Sequence, residues 1–406
     1  MYKSVDSFRP HFDALARVGY FKIGFEVFKP ISYMKYRLHN CYRFLVWLLI
    51  ITYNFQHVIR VVQARHSTDQ MVDTLFILLT TLNTLGKQIA FNARARRIQR
   101  VITIIDGELF AARNAFHEGV LKTNGAAMSR LLALYHGAIF ICSLLWTIFP
   151  LVNRALGYAV EFTAYIPFET TELPAFGLAV AYMSALIVVQ AYGNVSMDCT
   201  IVAFYAQAKT QLKMLRFDLE HFIDSDNDIN LHERKFIANR CNMYRDLDQN
   251  YRGLLKERLV SCVKHYEQIA WFVKEVESIF GEAMLVQFIV MAWVICMTVY
   301  KIIGLHILSA EFVSMAVYLG CMLAQLFIYC YYGTQLKVES DFVPQSVYGA
   351  DWLCVSPQFR SNLLIIMARC HRPIEPRTAY IVPMSLETYI AVLRSSYTLF
   401  TFLERK

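Results

Sequence analysis

Thr378-Ala-Tyr-Ile-Val-Pro-Met-Ser-Leu-Glu-Thr-Tyr-Ile-Ala-Val-Leu-Arg-Ser-Ser-Tyr-Thr-Leu-Phe-Thr-Phe-Leu-Glu-Arg-Lys406 decides how the rest of the chain is read. It is long enough to cross a bilayer, because about 20 helical residues span the hydrocarbon. It is not uniformly apolar. Glu387, Arg394, Thr398 and Thr401 recur at intervals of seven, four and three, which places them on one helical face. Leu386, Ile390, Leu393 and Phe400 lie off that stripe. A spanning helix with a polar stripe turns it toward protein or water rather than lipid. On the pattern alone the stripe either packs against neighbouring helices or lines an ion path.

The composition agrees with a chain built mostly of such helices. Of its 406 residues, 56% are hydrophobic, 14% aromatic and only 18% charged, against about 25% charged in a soluble domain. A net charge of +8 raises the question of nucleic acid. The charges sit in short clusters between apolar runs, which excludes a continuous basic face for that purpose. The N-terminal stretch carries Lys3, Arg9, Arg17 and Lys22 without a compact apolar core and cleavage site, so the first span is expected to act as its own insertion signal. No internal repeat or low-complexity segment is visible.

Hydropathy divides the chain into six parts. Residues 1–38 read as a basic, partly amphipathic cytosolic segment near the membrane surface. Residues 39–203 hold spans one to four, with Lys87 near one end of span two, where it could snorkel to the interface. Residues 204–278 read as a helical cytosolic anchor, with span four running below the membrane and span five starting below it. Asp224-Ser-Asp-Asn-Asp228 breaks this anchor, and it lacks the glycine and distal glutamate of a calcium loop. Residues 279–335 hold spans five and six. Residues 336–377 form further anchor, with a semi-apolar helix near 358–370, and 378–406 form span seven.

The loops sort by charge. Lysines and arginines crowd residues 1–38, 92–130, 204–278 and 336–377, whereas the other loops hold few. The positive-inside rule places the N-terminus in the cytosol, and seven spans then place the C-terminus outside. The expected fold is therefore an all-α membrane protein with seven transmembrane helices, N-terminus cytosolic, C-terminus extracellular and a helical cytosolic anchor. None of the ten cysteines falls in the outer loops 60–70, 153–172 or 304–309, so no disulfide is expected there.

Aromatic, thioether and small polar residues gather in the outer halves of four spans. They are Phe76 and Thr80 in span two, Cys142, Trp146 and Phe149 in span three, Tyr182, Met183 and Leu186 in span four, and Met315, Tyr318 and Met322 in span six. Such side chains give area and soft contacts with few directional demands, which suits a small apolar ligand. Each residue taken singly is equally at home in bundle packing. No catalytic constellation, nucleotide loop or metal motif is present, and His136 and His306 stand isolated among apolar neighbours. The expectation is no enzyme, no cofactor and no metal.

Several words carry a family likeness. Tyr329-Cys-Tyr-Tyr-Gly-Thr-Gln-Leu336, Val347-Tyr-Gly-Ala-Asp-Trp352, the run from Arg360 through Met367 and Arg369 to Arg372-Pro373, Ser385-Leu-Glu-Thr388 and Leu393-Arg-Ser-Ser-Tyr-Thr398 resemble the C-terminal part of the insect odorant receptors. Tyr165-Ile-Pro-Phe-Glu169 resembles their outer loop before span four. The resemblance implies a tuning subunit of a ligand-gated, non-selective cation channel. It implies an obligate odorant receptor coreceptor in a heterotetramer, a volatile odorant or pheromone as ligand, and no nucleic acid. It places the chain, multi-pass, in the plasma membrane, that of olfactory sensory dendrites. Each subunit would give its seventh helix to one pore, with the anchor holding the tetramer together. By position the gate falls on Phe400, with Glu404 one turn further out and Tyr397 between them and the stripe of Arg394, Thr398 and Thr401. Glu404 departs from the apolar residue of some members; it either favours cations at the mouth or faces solvent.

Two rivals share part of this pattern. A gustatory-type, self-sufficient channel usually ends with Thr-Tyr, apolar residues and Gln-Phe, whereas this chain ends Phe402-Leu-Glu-Arg-Lys406. A metabotropic seven-helix receptor requires the opposite orientation and the Asp-Arg-Tyr and Asn-Pro-x-x-Tyr words, which are absent.

Overall fold

The computed structural model describes residues 2–22, 32–66, 68–157, 160, 162–170, 172–222, 249–304, 310–350 and 355–404. In chain order the helices are α1 (Arg9–Arg17), α2 (Tyr33–Gln63), α3 (Thr68–Ala93), α4 (Ala95–Ile105), α5 (Ala115–Ala155), α6 (Leu173–Glu220), α7 (Gln249–Ile303), α8 (Ala310–Asp341), α9 (Val343–Gly349), α10 (Pro357–Cys370) and α11 (Leu386–Glu404). By length and composition alone, α2, α5, α6, α7 and α8 can cross a membrane. Helices α3 and α11 join them in the bundle with more polar faces. The Asp224–Asp228 turn, His306, Asp351 and Trp352 lie outside the described residues.

Helices α6 and α7 run unbroken for 48 and 55 residues, about 70 and 80 Å at 1.5 Å per residue. The hydrocarbon core is about 30 Å thick, so both project well beyond it. Their projecting parts pack together with α4, α9 and α10. Phe204, Leu212, Leu215, Ile269, Phe272 and Val276 are buried in one continuous core. Arg97 adds a 2.8 Å ion pair to Glu275, and Arg216 one of 2.6 Å to Glu339.

The N-terminal segment differs from the surface-lying helix expected. Phe8, Leu15, Tyr20 and Phe21 are fully buried, and the Phe8 ring lies 4.8 Å from that of Phe204. Its apolar face covers α6 rather than lipid. Gly193 permits this, because a Cβ there would overlap the Tyr20 ring. Residues 92–130, read as a polar loop, instead supply α4 and the first turns of α5. Ile98, Val101, Ile102 and Ile105 share the inner face of α4.

The last span also differs at its start. Residues 377–383 form a two-strand hairpin, β1 (Arg377–Thr378) against β2 (Val382–Pro383). Ala379 and Tyr380 occupy its turn with φ of 48° and 62°, the left-handed pair that a type I′ turn requires. Helix α11 then runs 19 residues, about 28 Å and so close to one hydrocarbon thickness. A helix running from Thr378 would hold Pro383 in its interior, where proline lacks the N–H and clashes with the carbonyl four residues back.

Candidate functional site

Helices α3, α5, α6 and α8 enclose a cavity of about 160 Å³. Its wall includes Phe76, Thr80, Cys142, Trp146, Tyr318 and Met322. A second cavity of about 230 Å³ shares Phe76, Ile77, Trp146 and Ile187 with the first and adds Met183 and Met315. The aromatic rings form one surface between them: Tyr318 lies 5.0 Å from Phe76 and 6.1 Å from Trp146, both tilted. The Cys142 and Cys321 sulfurs meet at 3.6 Å across the first cavity.

Two expected ligand residues line neither cavity, and a third is not described. The Tyr182 hydroxyl donates to Gln56 Oε1 at 3.0 Å and so turns toward α2. Leu186 packs in a separate buried cluster with Tyr53, Ala164 and Met183. The Phe149 side chain lies outside the described residues.

The cavity also takes in polar residues that hydropathy reading passed over: Thr84, Gln190, Asn194 and Gln325. A helical signal for them existed. Thr80 and Thr84, Gln190 and Asn194, and Tyr318, Met322 and Gln325 recur at spacings of three or four, so each set shares a face with a residue already selected or with its own partner. Selection by apolar character alone missed them.

Beneath this floor lies a buried charge cluster. Lys87 Nζ meets Asp198 Oδ1 at 2.6 Å, with the lysine side chain fully covered. Tyr329 Oη donates to the same carboxylate at 2.7 Å, and Gln325 Nε2 donates to Asp198 Oδ2. Lys87 therefore does not snorkel. Its stem runs into the bundle because α6 brings a carboxylate opposite it, and a charge so buried is tolerated only when paired. Gln325 belongs both to the cavity wall and to this cluster. His136 bonds Ser196 Oγ at 2.9 Å, which gives it a packing role.

On α11, Leu386, Tyr389 and Val392 pack against the main core, and Ser396 Oγ donates to Ala292 O at 3.0 Å. The opposite face carries Glu387, Arg394, Tyr397 and Thr398, all exposed, with Thr401 half-buried. The polar stripe thus does not pack within its own bundle. The side chains of Phe400 and Glu404 lie outside the described residues. Among the described residues no group of three His, Cys, Asp or Glu side chains comes together to hold a metal.

Comparison with known proteins gives one consistent result. The family model described as 7tm Odorant receptor matches residues 67–397. The chain is 23% identical to Odorant receptor 46a, isoform A, of Drosophila melanogaster over 362 residues, 88% of each chain. It is 21% identical to Odorant receptor Or1 of Anopheles gambiae over 375 residues, 88% of this chain and 87% of that one. Among solved structures it is similar to the insect olfactory receptor OR5 from Machilis hrabei, with TM-score 0.78, 17% identity and coverage of 97% of this chain and 96% of that one. The eugenol complex of that receptor gives TM-score 0.80, 17% identity and coverage of 98% and 97%. These likenesses establish the fold as an all-α bundle of seven transmembrane helices.

Proposed function

The chain belongs to the insect odorant receptor family, and on that premise we propose that it is the odorant-binding subunit of a ligand-gated, non-selective cation channel. It is a multi-pass membrane receptor. In this reading its N-terminus is cytosolic and its C-terminus extracellular, in the plasma membrane of an olfactory neuron. The obligate coreceptor completes a heterotetramer, held by the projecting parts of α6, α7, α9 and α10.

The observation that carries the proposal is the pair of adjoining cavities walled by Phe76, Trp146, Tyr318, Met183 and Met315. They give a small volatile an aromatic and thioether lining. That a related fold has been solved with eugenol supports an odorant-sized occupant. The open polar face of α11 supports its placement at a shared pore. There Arg394, Tyr397 and Thr401 line the path, Phe400 forms the gate and Glu404 the mouth.

A ligand gates such a channel only by binding the open form better than the closed one. Here an odorant bridging α3, α5, α6 and α8 alters how α8 sits, and α8 carries Gln325 and Tyr329 into the charge cluster and also packs on α11. Whole-cell recording with and without an insect coreceptor tests this. Fast, odorant-evoked cation current is expected only in co-expressing cells. Current from this chain alone indicates the self-sufficient, gustatory type, and a slow response requiring a G protein overturns the channel mechanism.

A further inference from the structure

The walls of the first cavity are chemically uneven. By alternation of the spans, α3, α6 and α8 run in one direction and α5 in the other. Phe76, Trp146 and Ile187 therefore close one end of the cavity, and Thr84, Gln190 and Asn194 the other. Gln190 is only 4% exposed. Among the described residues neither its amide nitrogen nor its amide oxygen has a hydrogen-bond partner, and Asn194 Oδ1 has none. Buried polar groups are almost always hydrogen-bonded, because leaving one unmade forfeits its hydration without return. This end of the cavity thus offers one amide NH2 as donor group and two acceptor oxygens. A hydrocarbon satisfies none of them and a carbonyl only the donor. A hydroxyl group both accepts from Gln190 Nε2 and donates to Gln190 Oε1 or Asn194 Oδ1. At about 160 Å³ the space matches a single ring, since an apolar cavity of about 150 Å³ admits benzene.

We infer that the ligand of this cavity is a compact alcohol or phenol, its hydroxyl on Gln190 and Asn194 and its apolar body against Phe76 and Trp146. The inference rests on the cavity being the odorant site, but not on the channel mechanism. Gln190 is a specificity-determining residue in this account. It discriminates by leaving its amide unpaired against the wrong ligand, which separates analogues more strongly than apolar fit does.

Benzyl alcohol, benzaldehyde and ethylbenzene have the same number of heavy atoms and probe the point directly. Two readouts are taken on the full-length chain: concentration–response currents with the coreceptor, and thermal stabilisation of the purified chain in detergent. Benzyl alcohol is expected to act at concentrations at least about tenfold below ethylbenzene, with benzaldehyde between; tenfold corresponds to about 1.4 kcal/mol. Gln190→Leu is expected to remove most of that advantage while leaving the ethylbenzene response in place, which also shows that the variant folds. If Gln190→Leu responds to nothing, Asn194→Leu is read the same way. Equal potency of the three compounds, or an advantage that survives both substitutions, overturns the inference. Gln190-dependent stabilisation by benzyl alcohol without any current supports the inference and overturns the channel reading instead.

Discussion

Lys87 is a cation in the middle of a membrane bundle, and its neighbours decide whether the fold tolerates it. Asp198 holds it at 2.6 Å, and Tyr329 and Gln325 fill the remaining carboxylate positions. Removing one member of a buried pair leaves the other uncompensated, at a cost of about 3–5 kcal/mol. Lys87→Met is therefore expected to deplete folded receptor at the cell surface. Lys87→Met combined with Asp198→Asn removes both charges yet keeps an acceptor for Tyr329, and is expected to recover much of the loss. Surface labelling and thermal unfolding in detergent check both. The pair was not legible in the sequence. Lys87 stands near the end of an apolar run, which looks like an interfacial anchor, and its partner lies 111 positions along the chain. The aromatic and thioether residues Phe76, Trp146, Tyr318 and Met322 were legible, because their chemistry marks them without knowledge of a partner.

The seating of α11 joins the hairpin to two older elements of the chain. Met384 N donates to Pro376 O at 2.9 Å, and Leu386 N donates to Thr334 Oγ1 at 3.0 Å, so α8 caps the new helix. Glu277 Oε1 accepts from Arg377 N at 2.6 Å, and Glu375 accepts from Lys337 at 2.8 Å. The Lys337 ammonium holds the Glu375 carboxyl below its ordinary value. Gly333 matters most, because a Cβ there would overlap the Met384 carbonyl. Gly333→Ala is expected to push the hairpin off α8, costing about 1–3 kcal/mol as an overpacked contact does. Its signature is a loss or change of gating with odorant binding retained, read by comparing current with ligand-induced thermal stabilisation. The motif containing Gly333 and Thr334 was recognisable as words. Its physical use, a backbone contact and a helix cap, required the fold. The hairpin itself went unread because Ala379-Tyr380 lacks the Asn-Gly signature of a type I′ turn.

Across the molecule, long α6 and α7 carry the bundle into a projecting helical region that has its own buried titratable group. His265 bonds Gln211 Oε1 at 2.9 Å, and Gln211 Nε2 donates to Phe110 O at 3.1 Å, tying α7 and α6 to the turn before α5. Burial, with Arg113 adding to it, lowers the His265 pKa from 6.5 to about 4. Between those values the unfolded chain binds the proton and the folded one resists it, so stability is full above pH 6.5 and falls as pH drops toward 4. At about 1.4 kcal/mol per pH unit, this one histidine contributes a loss on the order of 3 kcal/mol across that window. His265→Gln, which keeps a donor for Gln211, is expected to flatten the profile of thermal unfolding against pH. A profile as steep as that of the parent chain would assign the acid sensitivity elsewhere.

The broad architecture was legible because hydropathy, charge asymmetry and helical period each report on one segment at a time. That α6 and α7 continue past their apolar runs followed from the same periodicity, but the unbroken run of α7 from Gln249 to Ile303 did not, since the periodicity reads as separate helices meeting near residue 258. The buried N-terminal segment did not, since Phe8, Leu15 and Phe21 form an apolar face that suits lipid and protein equally well. The polar end of the cavity followed only in part: the four-residue spacing puts Gln190 and Asn194 on one helical face, but what that face meets is set by the fold.

The most direct test of the central claim, that ligand bound between α3, α5, α6 and α8 opens the channel, is the concentration–response of Trp146→Ala beside the parent chain, both co-expressed with the coreceptor. Trp146 belongs to both cavities and stands apart from α11. A shift to higher agonist concentration of at least about tenfold is expected, the loss of about 1.4 kcal/mol of binding, with ion selectivity unchanged. An unshifted response at equal surface expression would contradict it and move the ligand site elsewhere.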